Sequence, residues 1–416
     1  MTIRVGVIGG GQLARMMIPA AVNLGIELSV FAETAGESAS LAVTTLGDFR
    51  DVSDVLPFAQ SVDVVTFDHE HVPQEVLAAL VRAGVAVRPG PDALLYAQDK
   101  LLMRERLSQL GLPVPDWARI ENEAQLAEFL ADHGGRAVVK TATGGYDGKG
   151  VRVVRAAAEA SDWLALGHPL LAEELVDFRR ELAQSVARRP SGEIACWPVV
   201  ESIQSDGVCS EVIAPAPSSR GRLADVAEEI ARSIAENLGV TGVLAVELFE
   251  TTDERLLVNE LAMRPHNTGH WTIDGSTTSQ FEQHLRAVLD LPLGATGCRD
   301  QWSVMVNILG GPESGGLHER YGIAFADEPA VKVHNYGKTP RAGRKVGSRE
   351  EARAGYLFIS PWLIGAVVFL LGPMLVSLLL AFSSWDMIGP ARWVGLGNFA
   401  EMAGDDRFWK SLQATL

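Results

Sequence analysis

Two segments of the chain carry residues suited to chemistry on phosphates. The first leads from Lys140 into a loop with four glycines in seven residues, Gly144 to Gly150. Such a loop can lie over phosphates and donate backbone N–H groups, because glycine leaves no side chain in the way. Lys140 adds a positive charge for phosphate oxygens. The second segment offers carboxylate, amide and cationic groups to an anionic reactant, and it contains Asn259, Glu260, Arg264, His266 and Asn267.

A hairpin predicted around the second segment brings two carboxylates together. Val243–Phe249 and Arg255–Leu261 are strand-like, and a two-residue loop at Asp253–Glu254 places Glu247 opposite Glu260. Directly opposed carboxylates repel, and burial adds a desolvation cost. A divalent cation between them offsets both costs, and Mg²⁺ prefers one or two carboxylates plus substrate phosphates. The alternative is a solvated pair at a sheet edge in a slipped register.

The composition limits the class of protein. The chain has 416 residues, enough for two or three domains with sizeable cores. Its formal net charge of -16 argues against nucleic-acid binding, which needs a basic surface. The three cysteines form no CxxC pair, which favours a reducing cytosol over a disulfide framework or zinc site. The N-terminus enters a predicted strand at once, so no signal peptide is expected.

The first 98 residues alternate short apolar strands with helical stretches, which predicts a doubly wound α/β domain. The predicted elements are Ile3–Ile8, Gln12–Leu24, Glu27–Phe31, Val62–Phe67 and Val85–Arg88. Gly9 to Ala14 fits the dinucleotide fingerprint GxGxxA, and Glu33 ends the next strand. NAD binding therefore stays open as an alternative, although a glycine-rich turn at a helix N-terminus binds any phosphate.

Three motifs carry a resemblance to a known family. They are GGYDGKG at 144–150, NELAxRPHNxGHW at 259–271 and RxGRKVG at 341–347. In order and spacing they resemble the ATP-grasp family, and within it the ligases that carboxylate an aminoimidazole ribonucleotide in purine biosynthesis. The resemblance extends from the N-terminus to about Gly347 and then stops.

The resemblance implies a fold and a division into domains. It implies an α/β protein with a Rossmann-like pre-ATP-grasp substrate domain at 1–98 and an ATP-grasp α+β domain at 99–298. A partial β-rich C-terminal domain follows at 299–347, where short strands are predicted at Ser303–Leu309 and Ala330–Tyr336. A homodimer is also expected from the family.

The implied activity is ATP- and bicarbonate-dependent carboxylation of the amine of 5-aminoimidazole ribonucleotide, through carboxyphosphate. ATP and Mg²⁺ are the implied cofactors, with Mn²⁺ as a substitute. The metal would be held by Glu247 and Glu260. Catalysis and closure of the site would involve Tyr146, Asp147, Arg264, His266 and Asn267.

The resemblance also implies binding residues for both substrates. ATP would be bound by Lys100, Lys140, Gly145, Tyr146, Asp147, Gly148, Lys149, Gly150, Val151, Glu173, Glu174, Leu175, Val176, Glu181, Asn259 and Glu260. In this set 173–176 resembles the adenine hinge, and Glu181 would take the ribose hydroxyls. The ribonucleotide would be bound by Gly11, Gln12, Leu13, Glu70, Lys338, Arg341, Arg344 and Lys345. The last four form a basic run that is otherwise an ordinary solvated turn.

The tail from 348 to 416 departs from this family. Tyr356 to Trp385 contains no charged residue, which predicts a membrane-spanning helix at 356–382. Basic residues precede it, so the body is expected in the cytoplasm and membrane contact only through the tail. The tail resembles the N-terminal part of a binding-protein-dependent sugar transporter permease, which indicates two joined genes. A buried core helix and a purposeful membrane anchor are the alternatives.

Other functions stay open at this point. Another ATP-grasp ligase, acting with formate or a biotinyl carrier, would share Lys140, Glu247 and Glu260. An NAD-dependent oxidoreductase would bind nicotinamide at Gly9 to Ala14. His266 and His270 have the spacing of a zinc pair, but the residues between them are poor helix formers. A transporter fragment would need further spans.

Overall fold

The computed structural model describes residues 2–144, 150–205, 207–219, 221–308, 317–337, 372–385 and 389–415. They form two compact units, 1–340 and 341–416. The larger unit contains three sheets, and each is described below with the helices that cover it.

A parallel sheet forms the first part of the chain. Its strands β1 (Arg4–Ile8), β2 (Glu27–Ala32), β3 (Val43–Leu46) and β4 (Val64–Phe67) lie in the order β3-β2-β1-β4. The accompanying helices are α1 (Gln12–Leu24), α2 (Val52–Gln60), α3 (Gln74–Arg82), α4 (Pro91–Gln98) and α5 (Lys100–Gln109). The central strands are buried on both faces, as in other parallel sheets covered by helices.

The doubly wound prediction is confirmed for this sheet, with two differences at its edges. The predicted strand Val85–Arg88 is reduced to a single bridge between Val65 and Val87. The edge strand β3 was not predicted, because its residues are largely exposed and lack an apolar run.

A small antiparallel sheet follows in the order β5-β8-β6-β7. Its strands are β5 (Trp117–Ile120), β6 (Ala137–Thr141), β7 (Val151–Val154) and β8 (Leu170–Glu174), and its helices are α6 (Glu123–Asp132) and α7 (Ser161–Leu164). A short 3₁₀ turn at Ala157–Ala160 precedes α7. Lys140 lies at the end of β6, where the glycine loop begins.

The largest sheet is antiparallel and has seven strands. They are β9 (Phe178–Arg188), β10 (Ile194–Cys196), β11 (Val200–Ser205), β12 (Val208–Ala214), β13 (Gly242–Thr251), β14 (Leu256–Ala262) and β15 (Ser303–Val306). Its helices are α8 (Arg222–Asn237), α9 (Thr272–Gly275) and α10 (Gln280–Val288), with a 3₁₀ turn at Asn267–Gly269. Leu244, Val246 and Leu248 face one core, so the intervening Glu247 points to the opposite face.

The β13–β14 hairpin pairs Glu247 with Glu260, as predicted, but the route to that register differs. The loop has three residues, because Thr251 N–H donates to Arg255 O, and Glu254 adopts φ +63°. That extra loop residue shifts the register by one. A β-bulge at Asn259 shifts it back, so that Leu248 pairs with Val258 while Glu247 pairs with Glu260.

The C-terminal part of the larger unit differs from prediction. β15 joins the seven-stranded sheet beside β12, and helix α11 (Leu317–Asp327) follows. The predicted strand Ala330–Tyr336 is wrong, since no ladder pairing is described for it. Instead its backbone meets side chains: Asn335 O accepts from Arg15 Nε at 2.9 Å. The basic residues Lys338, Arg341, Arg344 and Lys345 lie outside the described residues.

The described part of the second unit is short. It contains α12 (Gly372–Ala381), a two-stranded ladder of β16 (Ser383–Ser384) and β17 (Arg392–Trp393), then α13 (Gly397–Ala403) and α14 (Asp406–Thr415). Among the residues described in the chain, no helix has the length and apolar character to cross a membrane. The predicted span at 356–382 falls largely on residues 356–371, outside the described ranges.

Candidate active site

The opposed carboxylates of Glu247 and Glu260 form the acidic part of the site. Burial, together with the neighbouring carboxylates of Glu260 and Glu181, raises the pKa of Glu247 to about 8. The charged form is therefore costly without a cation. In the described residues no group of three or more His, Cys, Asp or Glu side chains suits a metal ion. Two carboxylates suffice for Mg²⁺ when phosphates and water complete its octahedron.

Two side chains face this pair. Lys100 Nζ lies 3.5 Å from Glu260 Oε1, and His266 Nε2 lies 3.5 Å from Glu247 Oε1. Burial lowers the pKa of His266 to about 3, so its ring is neutral. Its Nδ1 lies 2.9 Å from Thr268 Oγ1 and 3.5 Å from Thr268 N, and its Nε2 is the ring nitrogen that faces Glu247.

Lys140 sits in a buried network behind the acidic pair. Its ammonium group lies 2.8 Å from Glu173 Oε2 and donates to Asn259 Oδ1 at 3.1 Å. Arg104, which is fully buried, binds the other oxygen of Glu173 through Nε and donates from Nη2 to Asn259 O at 2.6 Å. Burial opposes ionisation of Glu173, but the charges of Arg104 and Lys140 outweigh it and hold the pKa of Glu173 low.

This network changes how the predicted adenine hinge is understood. The carboxylate of Glu173 points inward to two cations, so it orders Lys140 and is not open to a base. Glu174 points elsewhere and accepts from Asp116 N–H at 3.1 Å. Leu175 and Val176 follow β8 and are half-buried. Glu181, on β9, has its pKa raised by burial and shares the sheet face of Glu247.

The glycine loop is described only at its base. Thr141 N–H donates to Gly150 O at 2.9 Å, and Val151 begins β7. Gly145, Tyr146, Asp147, Gly148 and Lys149 lie outside the described residues.

Gln12 and Glu70 of the first domain form hydrogen bonds with the 263–270 segment. Gln12 Nε2 donates to Asn267 Oδ1 at 2.9 Å. Glu70 binds Arg264 Nε at 2.9 Å and accepts from Met263 N–H at 2.8 Å. Both oxygens of Glu70 are thus engaged. The tertiary structure therefore places predicted substrate residues beside predicted catalytic ones.

The predicted phosphate turn at Gly11–Leu13 is more acidic than its sequence suggests. Asp68 Oδ1 accepts from Ala14 N–H at 2.7 Å, in the first turn of α1. A Cβ at Gly11 would lie 2.1 Å from Asp68 Oδ2, so the glycine makes room for this carboxylate. Leu13 is buried in the core, which leaves only its backbone for a ligand. Glu33, the acidic residue of the dinucleotide alternative, is bound by Arg50 at 2.6 Å.

The zinc alternative for His266 and His270 has little support. Their connection is a 3₁₀ turn and not an α-helix, and Gln280 Nε2 lies 3.1 Å from His270 Nδ1. Gln280 also donates to His266 O and accepts from His266 N–H. This glutamine orders the segment and was missed by sequence reasoning, because its spacing from His266 indicates no motif.

Other residues that the sequence did not indicate as functional also support the site. Arg104 could have been noticed one turn after Lys100 on α5. Arg15 and Asp274 hold the 334–337 segment, since His334 Nε2 lies 2.6 Å from Asp274 Oδ2. The described chain therefore reaches Gly337 beside α1.

Comparison with known proteins identifies the family. Three family models match in order: the ribonucleotide synthetase preATP-grasp domain at 1–98, the ATP-grasp domain at 105–281 and the phosphoribosylaminoimidazole carboxylase C-terminal domain at 303–347. The N5-carboxyaminoimidazole ribonucleotide synthase of Mycobacterium tuberculosis is 52% identical over 351 residues, covering 82% of each chain. The chain belongs to the N5-carboxyaminoimidazole ribonucleotide synthase family.

Further relatives agree with this assignment to the synthase family. The synthase of Corynebacterium ammoniagenes is 50% identical, with 82% of this chain and 86% of that one covered. The crystal structure of the Thermus thermophilus synthetase has a TM-score of 0.74 at 35% identity, over 86% of this chain and 98% of that one. The Aspergillus clavatus synthase, in complex with ADP and 5-aminoimidazole ribonucleotide, has a TM-score of 0.73 at 31% identity, covering 85% and 96%. The predicted pre-ATP-grasp and ATP-grasp fold is thereby confirmed.

Proposed function

We propose that residues 1–347 form an ATP-dependent ligase that carboxylates the amine of 5-aminoimidazole ribonucleotide. The observation that carries the proposal is the meeting of two sets of residues. Glu247, Glu260 and Lys140 supply a metal and phosphate site, while Gln12 and Glu70 of the first domain contact the adjoining segment. A site of this kind can join a phosphorylated acid to an amine.

In this mechanism a bicarbonate oxygen attacks the γ-phosphorus of ATP, and ADP leaves. The carboxyphosphate formed then reacts with the amine, so that a C–N bond forms, inorganic phosphate leaves and the amine loses a proton. Glu247 and Glu260 would hold Mg²⁺, which when bound would supply positive charge to the phosphates of ATP. Lys140, oriented by Glu173 and Asn259, binds the phosphates of ATP.

The remaining roles follow the same geometry. Arg264, His266 and Asn267 hold bicarbonate and then carboxyphosphate, and neutral His266 contributes an N–H donor without adding charge. Tyr146 and Asp147, on the glycine loop, close the site against water, because carboxyphosphate hydrolyses readily. The basic run at 338–345 would bind the substrate phosphate through charge-assisted hydrogen bonds.

The test is ADP release by the purified protein with each substrate omitted in turn. We expect release to require both bicarbonate and 5-aminoimidazole ribonucleotide, with isotope-labelled bicarbonate appearing in the nucleotide. Release that depends on formate or a biotinyl carrier would instead indicate another ATP-grasp ligase. Nicotinamide binding at Gly9 to Ala14 would support the oxidoreductase.

We also propose that residues 348–416 take no part in catalysis. The three matching family models end by residue 347, and residues 341–416 form a separate compact unit. The permease resemblance, membrane insertion of the tail, a cytoplasmic body and a homodimer stay predictions. Sedimentation of the purified protein with and without vesicles measures the oligomeric state and the membrane contact together.

A further inference from the structure

His284 connects the parallel sheet of the first domain to the seven-stranded sheet through one buried imidazole. Its Nε2 lies 2.7 Å from Thr66 Oγ1 on β4, and its Nδ1 accepts from Val243 N–H on β13 at 3.0 Å. All three residues are fully buried. Because Nδ1 is an acceptor, Nε2 carries the proton and donates to the threonine hydroxyl. Burial lowers the pKa of His284 to about 3, so the ring is neutral.

The two strands that His284 joins lead to the two halves of the site. The chain of β4 continues from Thr66 to Glu70, and β13 continues from Val243 to Glu247. Gly242 adopts φ +105°, and a Cβ there would lie 2.8 Å from His284 Cε1. The ring therefore packs directly on the backbone of β13 and acts as a rigid spacer between the strands.

The neighbouring residue of α10, Gln283, does not share this bridging geometry. Gln283 is equally buried, but it donates to Gly294 O and accepts from Gly294 N–H, both at 2.8 Å, within the ATP-grasp domain. A substitution at Gln283 thus removes buried hydrogen bonds of this helix without removing the hydrogen bond between the two sheets, so the two effects can be measured separately.

We propose that His284 is a positioning residue that holds the first domain in register with β13, so that the amine meets carboxyphosphate. This inference rests on the proposed function. The phosphoryl transfer occurs beside Glu247, whereas the amine is held near Glu70. When the register loosens, ADP still forms, but water captures carboxyphosphate before the amine does. The expected signature is uncoupling, in which ADP and phosphate are released without carbamate.

The test compares ADP release with labelled bicarbonate incorporated into nucleotide, using the full chain. Thr66→Val removes the hydroxyl with little change of shape. His284→Asn keeps an acceptor for Val243 N–H but does not reach Thr66. We expect each variant to raise the ratio of ADP to carbamate by about fivefold or more. The double variant should resemble the more affected single one, because both remove the same contact.

Two variants serve as controls. Gln283→Leu removes buried hydrogen bonds inside one domain and should leave the ratio unchanged, even where total activity falls. Thr66→Ser keeps the hydroxyl and should leave the ratio of ADP to carbamate unchanged. It also provides a variant at this position in case Thr66→Val is too unstable to assay. An unchanged ratio in His284→Asn and Thr66→Val, with both rates lowered together, overturns the inference. So does an equal rise in Gln283→Leu. Absence of substrate-dependent ADP release in the parent protein counts against the proposed function instead.

Discussion

The ammonium group of Lys140 lies 2.8 Å from the carboxylate of Glu173, and both side chains are almost completely buried. Arg104 binds the same carboxylate from the other side. A buried anion between two cations makes Glu173 a structural requirement for the phosphate-binding lysine.

Replacing Glu173 should therefore destabilise the protein as well as weaken ATP binding. Glu173→Gln leaves Arg104 and Lys140 as buried cations without a counter-charge, and we expect the free energy of unfolding to fall by about 3 to 5 kcal/mol. Urea unfolding and ATP titration calorimetry measure the two effects. The control is Glu174→Gln, whose single acceptor role toward Asp116 N–H is retained. Equal stability of the two variants would contradict the assignment.

Removal of one carboxylate of the hairpin pair should disable the metal site. Glu260→Gln keeps the shape but removes a charge that Mg²⁺ needs, so most ATP turnover should be lost with the fold intact. Turnover measured across a Mg²⁺ titration, with circular dichroism, checks both points. Glu254→Gln, on the exposed loop of the same hairpin, is the matched control. Turnover within a few-fold of the parent at saturating Mg²⁺ would show that Glu260 is not a ligand.

The buried neutral His284 should make stability depend on pH. Unfolded, its imidazole has an ordinary pKa of about 6.5, whereas folded it stays neutral down to about 3. The unfolded chain therefore binds the extra proton, and the free energy of unfolding falls as the pH drops from about 6.5 toward 3. The slope due to this group approaches about 1.4 kcal/mol per pH unit. Urea unfolding at several pH values should show a smaller slope in His284→Asn than in the parent, and equal slopes would refute the prediction.

The basic run near the end of the family match should determine substrate affinity. Arg344→Ala should weaken 5-aminoimidazole ribonucleotide by about 1.5 to 3 kcal/mol, the worth of a charge-assisted hydrogen bond. Steady-state kinetics at saturating ATP and bicarbonate give the Michaelis constant for that substrate. The control is Arg353→Ala, which removes the same charge from a position beyond the family match and should leave this Michaelis constant unchanged. An unchanged constant in Arg344→Ala as well would contradict the prediction.

Deletion of residues 348–416 should move the protein to the soluble fraction without lowering its specific activity. The reason is that thirty uncharged residues, Tyr356 to Trp385, favour membranes or aggregates over water. Fractionation and the coupled ADP assay measure the two results. Loss of activity that the full chain possesses would mean that the tail contributes to function.

Local sequence patterns were sufficient for the elements that carry the chemistry. The Glu247–Glu260 pairing followed from hairpin length, because strand periodicity places opposed residues on one face. It was correct only because a longer loop and a bulge at Asn259 offset each other. The bulge also contributes to the site. It leaves the Asn259 side chain to accept from Lys140 and the Asn259 carbonyl to accept from Arg104.

The tertiary structure alone decided which distant groups meet. The sequence places Glu173 in a hinge beside a ligand, but packing of β8 against β6 and α5 turns its carboxylate inward to Lys140 and Arg104. Likewise, no local pattern relates Thr66 to His284 or Gln12 to Asn267. Such contacts depend on how separate sheets and helices pack together. That packing is driven by the burial of apolar surface, which is non-directional, so a local sequence pattern does not specify which distant residues come into contact. The residue types therefore indicated which chemistry each position could perform, whereas the tertiary structure was needed to show which residues contact each other.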